Sequence, residues 1–437
     1  MTTPRPAPAI IFDALRLFLG ASARTPRGID RVDFDYASNL IETWPGEIFL
    51  LLPTPWGLRL YDRAIGQAGL AYLAAHWHEQ GDADHDPALD WVRRRLGGID
   101  PGPRGRKRRR FGGLLRAIAR QIGMMAAIGV SLGRSATRAT PPGAIYLNIS
   151  QLGYAAPLMV PWLRKRPDIR AVYLMHDVIP IETPEFVAPI GTRLALKMLD
   201  VVRRHADGLI FTTQAAAGAV QRALGAAQPS AMLTLGLPIA PVFLQAEPED
   251  TNLRAERYFI VCGAIDVRKN HLLLLDVWRE LYRRHGVHTP KLVVAGAASV
   301  AAAPILDALE NCGPLRPYII LVSGLASPGM RRLMAHARAL LLPSHAEGFG
   351  LPVIEALALG TPVVASDLPA LREVAGAHGI FRSTDDRDGW AAAIEGLMDS
   401  APPADFLALG QFQPMTAVPY FIAVHNFLLS LPAKTIP

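Results

Sequence analysis

Residues 339–366 read Ala-Leu-Leu-Leu-Pro-Ser-His-Ala-Glu-Gly-Phe-Gly-Leu-Pro-Val-Ile-Glu-Ala-Leu-Ala-Leu-Gly-Thr-Pro-Val-Val-Ala-Ser, and they decide the fold. The apolar run Ala339–Leu342, closed by Pro343, predicts a strand buried on both faces. Gly348 and Gly350 lack a Cβ, so the backbone between them can turn sharply and approach a ligand closely. Pro352 fits the first turn of a helix and Gly360 fits its stop. The stretch Thr361–Ser366 then predicts the next buried strand. The unpaired N–H groups of that helix start, together with its dipole, favour an anion. Glu347 ends the first strand and Glu355 lies about one turn into the helix. They bracket the loop with acceptors for hydroxyl groups. An ordinary strand–helix–strand crossover would need neither acid.

The segment resembles the signature of the retaining glycosyltransferases of family 4, in which two glutamates separated by seven residues enclose a Gly-Phe-Gly-Leu-Pro-like loop. Glu347, Gly348, Phe349, Gly350, Leu351, Pro352 and Glu355 match it, and so does the continuation Ser366–Gly376. The resemblance implies an α/β protein with two Rossmann-like domains facing across a cleft, the GT-B architecture. It also implies that Gly348, Phe349, Gly350, Leu351 and Glu355 bind the donor, with Glu355 on the ribose and Glu347 positioning the donor sugar.

Two further segments carry the same likeness. In Val261-Cys262-Gly263-Ala264-Ile265-Asp266-Val267-Arg268-Lys269-Asn270, Lys269 matches the family's diphosphate contact and Arg268 stands beside it. Many relatives place an arginine directly after the glycine, where this chain has Ala264. In Tyr173-Leu174-Met175-His176-Asp177-Val178-Ile179-Pro180, His176 and Asp177 fall at the C-terminal end of a strand, where open parallel sheets bind ligands. The pair resembles the family's His-Asp-x-x-Pro segment facing donor sugar and acceptor. Near the start, Thr25-Pro26-Arg27-Gly28-Ile29-Asp30-Arg31 resembles a glycine loop over the donor phosphates, with Gly28 allowing close approach. His176, Asp177 and Glu347 are thus the candidate catalytic residues, and Gly28, Arg268 and Lys269 join the donor-binding set.

Length and composition agree with two domains. A chain of 437 residues exceeds one ordinary core, and half of it is hydrophobic. We expect a first, acceptor-side domain over residues 1–235, a linker over 236–257 and a nucleotide-sugar domain over 258–410. Residues 411–437 are expected to cross back to the first domain. Strands are predicted at Ala9–Phe12, Ile48–Leu52, Ile145–Ile149, Val172–Met175 and Leu209–Thr212. In the second half they are predicted at Tyr258–Val261, Lys291–Ala295, Ile319–Val322, Ala339–Leu342 and Pro362–Ala365. Helices between them imply parallel sheets covered on both faces.

The two cysteines, Cys262 and Cys312, make no disulfide framework and suit a reducing cytoplasm. No leader or continuous spanning run is evident, which predicts a cytoplasmic chain, peripheral on the inner membrane face if its basic segment docks there. Residues 101–140 hold ten Arg and Lys and no acid; the net +7 less this +10 leaves −3 for the rest. Within them, 104–125 pairs an arginine cluster with apolar positions at helical spacing, a candidate contact for anionic membrane. Nucleic acid is not an expected partner, since no matching motif or aromatic interleaving accompanies the charge. No Asp-x-Asp stands beside the donor signature, so neither a metal nor another cofactor is expected.

The reading is therefore a metal-independent hexosyltransferase that uses a nucleotide-sugar, with GDP-mannose favoured, on a glycan or glycolipid acceptor. A sugar-nucleotide epimerase and a non-catalytic binding scaffold are the alternatives on the same fold.

Overall fold

The computed structural model describes residues 6–20, 26, 28–77, 82–102, 122–124, 126, 132–151, 159–246, 249–399 and 411–434. Two sheets form among them. The second is the simpler. Strands β9 (Tyr258–Cys262), β10 (Lys291–Ala295), β11 (Ile319–Val322), β12 (Leu340–Leu342), β13 (Val363–Ser366) and β14 (Gly379–Arg382) lie in the order β11-β10-β9-β12-β13-β14, every pair parallel. In order of appearance this is 3-2-1-4-5-6, the doubly wound nucleotide-binding order. Its centre is wholly apolar: β9, Tyr-Phe-Ile-Val-Cys, is buried at every position, as a strand covered on both faces must be. Trp278 and Leu281 of helix His271–His285 seal one face with Trp390 and Ile394 of helix Arg387–Met398.

The first sheet has eight strands. β1 (Ile10–Asp13), β2 (Ile48–Thr54), β5 (Ile145–Asn148), β6 (Arg170–Met175), β7 (Ala206–Phe211) and β8 (Ala231–Thr234) run parallel. The expectation of purely parallel sheets is corrected at one edge. There β3 (Gly57–Tyr61) returns antiparallel on β2, and β4 (Arg134–Ser135) pairs antiparallel with β3. Gly57, at φ +106°, makes the tight return that a side chain would disfavour. β4 falls inside the range assigned to the basic insertion, so residues 134–135 belong to the sheet. Most of the proposed membrane segment 104–125, including the whole arginine cluster, lies outside the described residues.

The two halves meet where the loop after β12 touches the segment after β6, at Gly348 and His176. Residues 236–257 include two short helical turns, Pro241–Leu244 and Thr251–Arg254. Helix Pro87–Leu96, early in the chain, packs against β11 of the second sheet with Leu89, Val92 and Leu96 fully buried. Asp86 caps that helix at Ala88 N and also accepts from Ala326 N at 2.8 Å, which fastens it to the far half. Helix Ala417–Ser430 lies on the first sheet's side: Tyr420 Oη and Tyr36 Oη are 2.6 Å apart, and Arg170 donates to Leu431 O.

Candidate functional site

The loop after β12 is built as its residue types dictate. Gly350 has φ +94°, and a Cβ there would meet Leu371 at 2.7 Å. Helix Leu351–Ala358 starts next with proline in its first turn, and Gly360 ends it at φ +73°. A Cβ on Gly348 would stand 2.5 Å from His176 O and 3.0 Å from the Asp177 side chain, so only glycine lets the loop touch the first domain. Gly348 O accepts hydrogen bonds from Thr213 Oγ1 at 3.1 Å and Thr212 Oγ1 at 3.4 Å. Phe349 is buried in the core and lies against Gly236, so its ring anchors the loop. Leu351 reaches across to Gly28, at the start of helix Gly28–Thr43, where a Cβ would be 3.0 Å away.

Glu347 sits at the β9/β12 switch point with two cations. Its Oε1 takes a close ion pair from Lys269 Nζ and a 2.6 Å hydrogen bond from Ser344 Oγ; its Oε2 lies 3.2 Å from Arg268 Nη1. Burial works against ionisation, yet Lys269 and Arg268 outweigh it and hold the carboxyl at about 2. The cations are placed by their own turn. Asp266 caps Arg268 N at 3.2 Å, and Asn270 takes the left-handed conformation at φ +52° to begin the next helix. Gly263, at φ +131°, lets the Lys269 stem pass beside it.

Glu355 is arranged differently. It is buried, and its one ion pair among the described residues comes from the other half of the chain, Arg31 Nη2 to Oε1 at 2.8 Å. Burial pushes its carboxyl up, and Arg31 offsets only part of that. Beside the pair opens a cavity of about 610 Å³ lined by Arg31, Phe34, Val242, Ser327, Pro328 and Arg331, among others. That volume lies in the range of small-molecule sites.

His176 is buried. Its Nε2 donates to Ile149 O at 2.8 Å, which leaves Nδ1 as the unprotonated nitrogen. Burial drives its pKa down to about 4, so the ring is neutral near pH 7. The Asp177 carboxyl accepts from Ile179 N at 3.1 Å; burial pushes it up while Arg268 opposes the shift. Among the predicted residues the structure therefore brings His176, Asp177, Glu347, Gly348, Arg268 and Lys269 to one junction. Gly28, Leu351 and Glu355 lie at a second junction with Arg31.

Four features escaped sequence reasoning. Phe186 stacks on His345 across the halves, with ring centroids 4.3 Å apart. Glu373 reaches over to the start of helix Gln214–Leu224, accepting from Gln214 N at 2.7 Å and Ala215 N at 3.2 Å. At the C-terminal end of β1, Asp13 accepts from Tyr146 Oη at 2.6 Å and Asn148 Nδ2 at 2.7 Å, and burial pushes it up to about 6. Nearby Asp33 is fully buried with neither oxygen partnered, and burial pushes it well up. An aspartate ending an otherwise apolar strand was the available signal. Among the described residues, no three of His, Cys, Asp and Glu converge as a metal site.

A family model described as Glycosyl transferases group 1 matches residues 256–400, the part of the chain that holds Arg268, Lys269, Glu347 and Glu355. Residues 256–400 are thus similar to a group 1 glycosyltransferase domain. Over 245 residues, 52% of this chain, it is 26% identical to the serotype-specific mannosyltransferase WbdA of Escherichia coli, of whose length that stretch is 29%. It is 25% identical over 227 residues to the O-antigen chain mannosyltransferase RfbU of Salmonella typhimurium, covering 51% of this chain and 59% of that one. The matched stretch thus spans under two thirds of these relatives. The solved structure of Anabaena Alr3699/HepE in complex with UDP-glucose superposes with a TM-score of 0.63 at 16% identity, over 97% of this chain and 100% of that one. The trehalose 6-phosphate synthase of Burkholderia multivorans gives 0.57 at 13%, over 98% and 99%. The fold of this chain is GT-B.

Proposed function

We propose that the chain transfers a hexose, with retention of anomeric configuration, from a nucleotide-sugar to a hydroxyl of a glycan or glycolipid acceptor. GDP-mannose is the favoured donor, in keeping with the mannosyltransferase names among its relatives. The observation that carries this is the Lys269–Glu347–Arg268 cluster at the β9/β12 switch point, closed over by a glycine loop that rests on His176 and Asp177. Switch points are where such sheets take nucleotide phosphates.

The chemistry follows from charge. As the bond from the anomeric carbon to the diphosphate oxygen breaks, negative charge grows on the leaving group and positive charge on the sugar. Lys269 and Arg268, held in place by Glu347, meet the first without a resident metal. Glu347, ionised at any working pH, positions the sugar. The neutral ring of His176 places no positive charge beside the developing oxocarbenium. The acceptor oxygen bonds to the same face of the anomeric carbon, and its proton passes to the leaving phosphate oxygen. No protein nucleophile is needed. Entry of the ribose exchanges Arg31 for sugar hydroxyls at Glu355, and the cavity beside Arg31 accommodates the base. We place the reaction in the cytoplasm, in the assembly of surface glycans.

The test is turnover in EDTA with GDP-mannose, UDP-glucose and dTDP-rhamnose in turn, following release of nucleoside diphosphate and the anomeric configuration of the product. One donor should turn over and yield a retained linkage. Dependence on added metal, or an inverted product, would contradict the mechanism. An isomerised nucleotide-sugar without diphosphate release would favour the epimerase, and binding without turnover the scaffold.

A further inference from the structure

The ring of His176 is held by the strand next to its own. Its Nε2 donates to Ile149 O at 2.8 Å, and Ile149 stands in the turn that follows β5. That turn is itself restrained. Ser150 N donates to Asn148 Oδ1 at 3.1 Å, which wraps the backbone around the Asn148 side chain. Gln151 comes next at φ +61°, one of two residues other than glycine that take a left-handed backbone among those described. A glutamine held there costs free energy and persists only where its surroundings fix it. Its Nε2 donates to Asp177 O at 3.4 Å, so the turn touches both candidate catalytic residues.

The turn's anchor lies one strand further, across the switch point between β1 and β5. Asn148 Nδ2 donates to Asp13 Oδ2 at 2.7 Å, and Asp13 ends β1. The same oxygen accepts from Tyr146 Oη at 2.6 Å, and Oδ1 accepts from Leu15 N at 3.1 Å. Three donors aimed at one carboxyl suit its ionised, acceptor-only form. Burial raises the pKa of Asp13 only to about 6, which leaves it charged at pH 8. Asp13, Tyr146 and Asn148 are all buried, so a lost partner is not replaced cheaply by water. Asp13→Asn would break the chain of contacts. With the new amide's oxygen kept on Leu15 N, its nitrogen would meet Asn148 Nδ2, donor against donor. Turning Asn148 over would only move the conflict to Ser150 N.

We propose that Asp13 is a positioning residue for the transfer, acting through Asn148 and the 148–151 turn to orient His176 and Asp177. The contacts run from β1 through the end of β5 to the loop after β6, and they fix which ring nitrogen of His176 carries the proton. This deepens the functional reading and rests on its placing of His176 and Asp177 beside the donor sugar.

The test compares wild type, Asp13→Asn and the exchange Asp13→Asn/Asn148→Asp at pH 8 in EDTA. In the exchange the new amide donates across the pair, while the new carboxylate accepts from it, from Ser150 N and from Tyr146 Oη. Turnover of GDP-mannose, titration of GDP and the imidazole nitrogen spectrum of protein labelled with ¹⁵N-histidine are read for each. His176→Gln assigns the ring signal. Wild type should show His176 protonated at Nε2 alone. Asp13→Asn should mix the two tautomers and lower kcat by about tenfold or more, as a displaced catalytic group does. Its GDP affinity should stay within about twofold, since Lys269 and Arg268 are untouched. The exchange should restore both the ring signal and kcat. If Asp13→Asn does not fold, Asn148→Ala cuts the same link and is read in the same way. A folded variant that keeps the wild-type ring signal and kcat would overturn the proposal, and so would an exchange that regains the wild-type melting temperature without regaining the ring signal. A wild type that transfers nothing would count against the functional reading, and the ring signal would still decide this inference.

Discussion

Glu347 and Glu355 belong to one loop, are both buried, and differ in where their counter-charge comes from. Glu347 is neutralised from within its own domain, by two cations on the turn after β9, and its carboxyl is held at about 2. Glu355 depends on Arg31, more than three hundred positions away in sequence on the other half, and its carboxyl is pushed up despite that pair. The first acid is thus a fixed charge in a prebuilt site. The second is paired only while the two halves stay together.

Removing the inner pair should have the largest effect. Lys269→Ala strips Glu347 of its closest partner and the diphosphate of its nearest cation, and kcat/KM should fall by about 100-fold or more. The halves should keep their spacing in small-angle scattering. Arg31→Ala should do the reverse: scattering should show a more open chain, while kcat/KM drops by about tenfold. Equal opening in both variants would erase the distinction.

The pH profile sharpens it. Because Glu355 has a raised pKa when folded, its contribution to stability is present at low pH and fades as pH rises from the ordinary glutamate value through the folded one. If the halves stay together without Arg31, that fading should extend to higher pH, read as melting temperature against pH. Glu347 has the opposite sign: its contribution is present above 4.5 and lost as pH falls toward 2.

Gly348→Ala should act at the contact between the two halves. Its Cβ would meet the backbone oxygen of His176, which cannot swing aside, so we expect a loss of about 1–3 kcal/mol in denaturant unfolding and a weakened closure. The smallest effect concerns His176, which borders only the first junction. Its stabilising contribution is present above pH 6.5 and lost as pH falls to about 4, and His176→Phe should flatten the melting curve across that window.

What the sequence made legible follows the same division. β12, its glycine loop, the following helix and β13 were readable because apolar runs, glycines and prolines punctuate them locally. β3, β4, β8 and β14 were not, since they are short, partly exposed edge or near-edge strands without a continuous apolar run. Helix Pro87–Leu96 has a clear cap and amphipathic pattern, yet nothing local says that it covers β11 in the other half. The turn bearing Arg268 and Lys269 could be placed by its motif. Arg31 could not be matched to Glu355, because an ion pair across 324 positions leaves no periodic trace. Asp33, buried with neither oxygen hydrogen-bonded, was hidden for a related reason: an aspartate within an amphipathic helix ordinarily faces water.

The central claim is that the two cations beside Glu347 are a diphosphate site. Isothermal titration of GDP into wild type and Lys269→Ala, both in EDTA, tests it most directly. GDP should bind the wild type without metal and bind the variant about 100-fold more weakly, as expected when a buried charge-assisted contact is lost. Equal affinity in the two proteins would contradict it and move the nucleotide elsewhere.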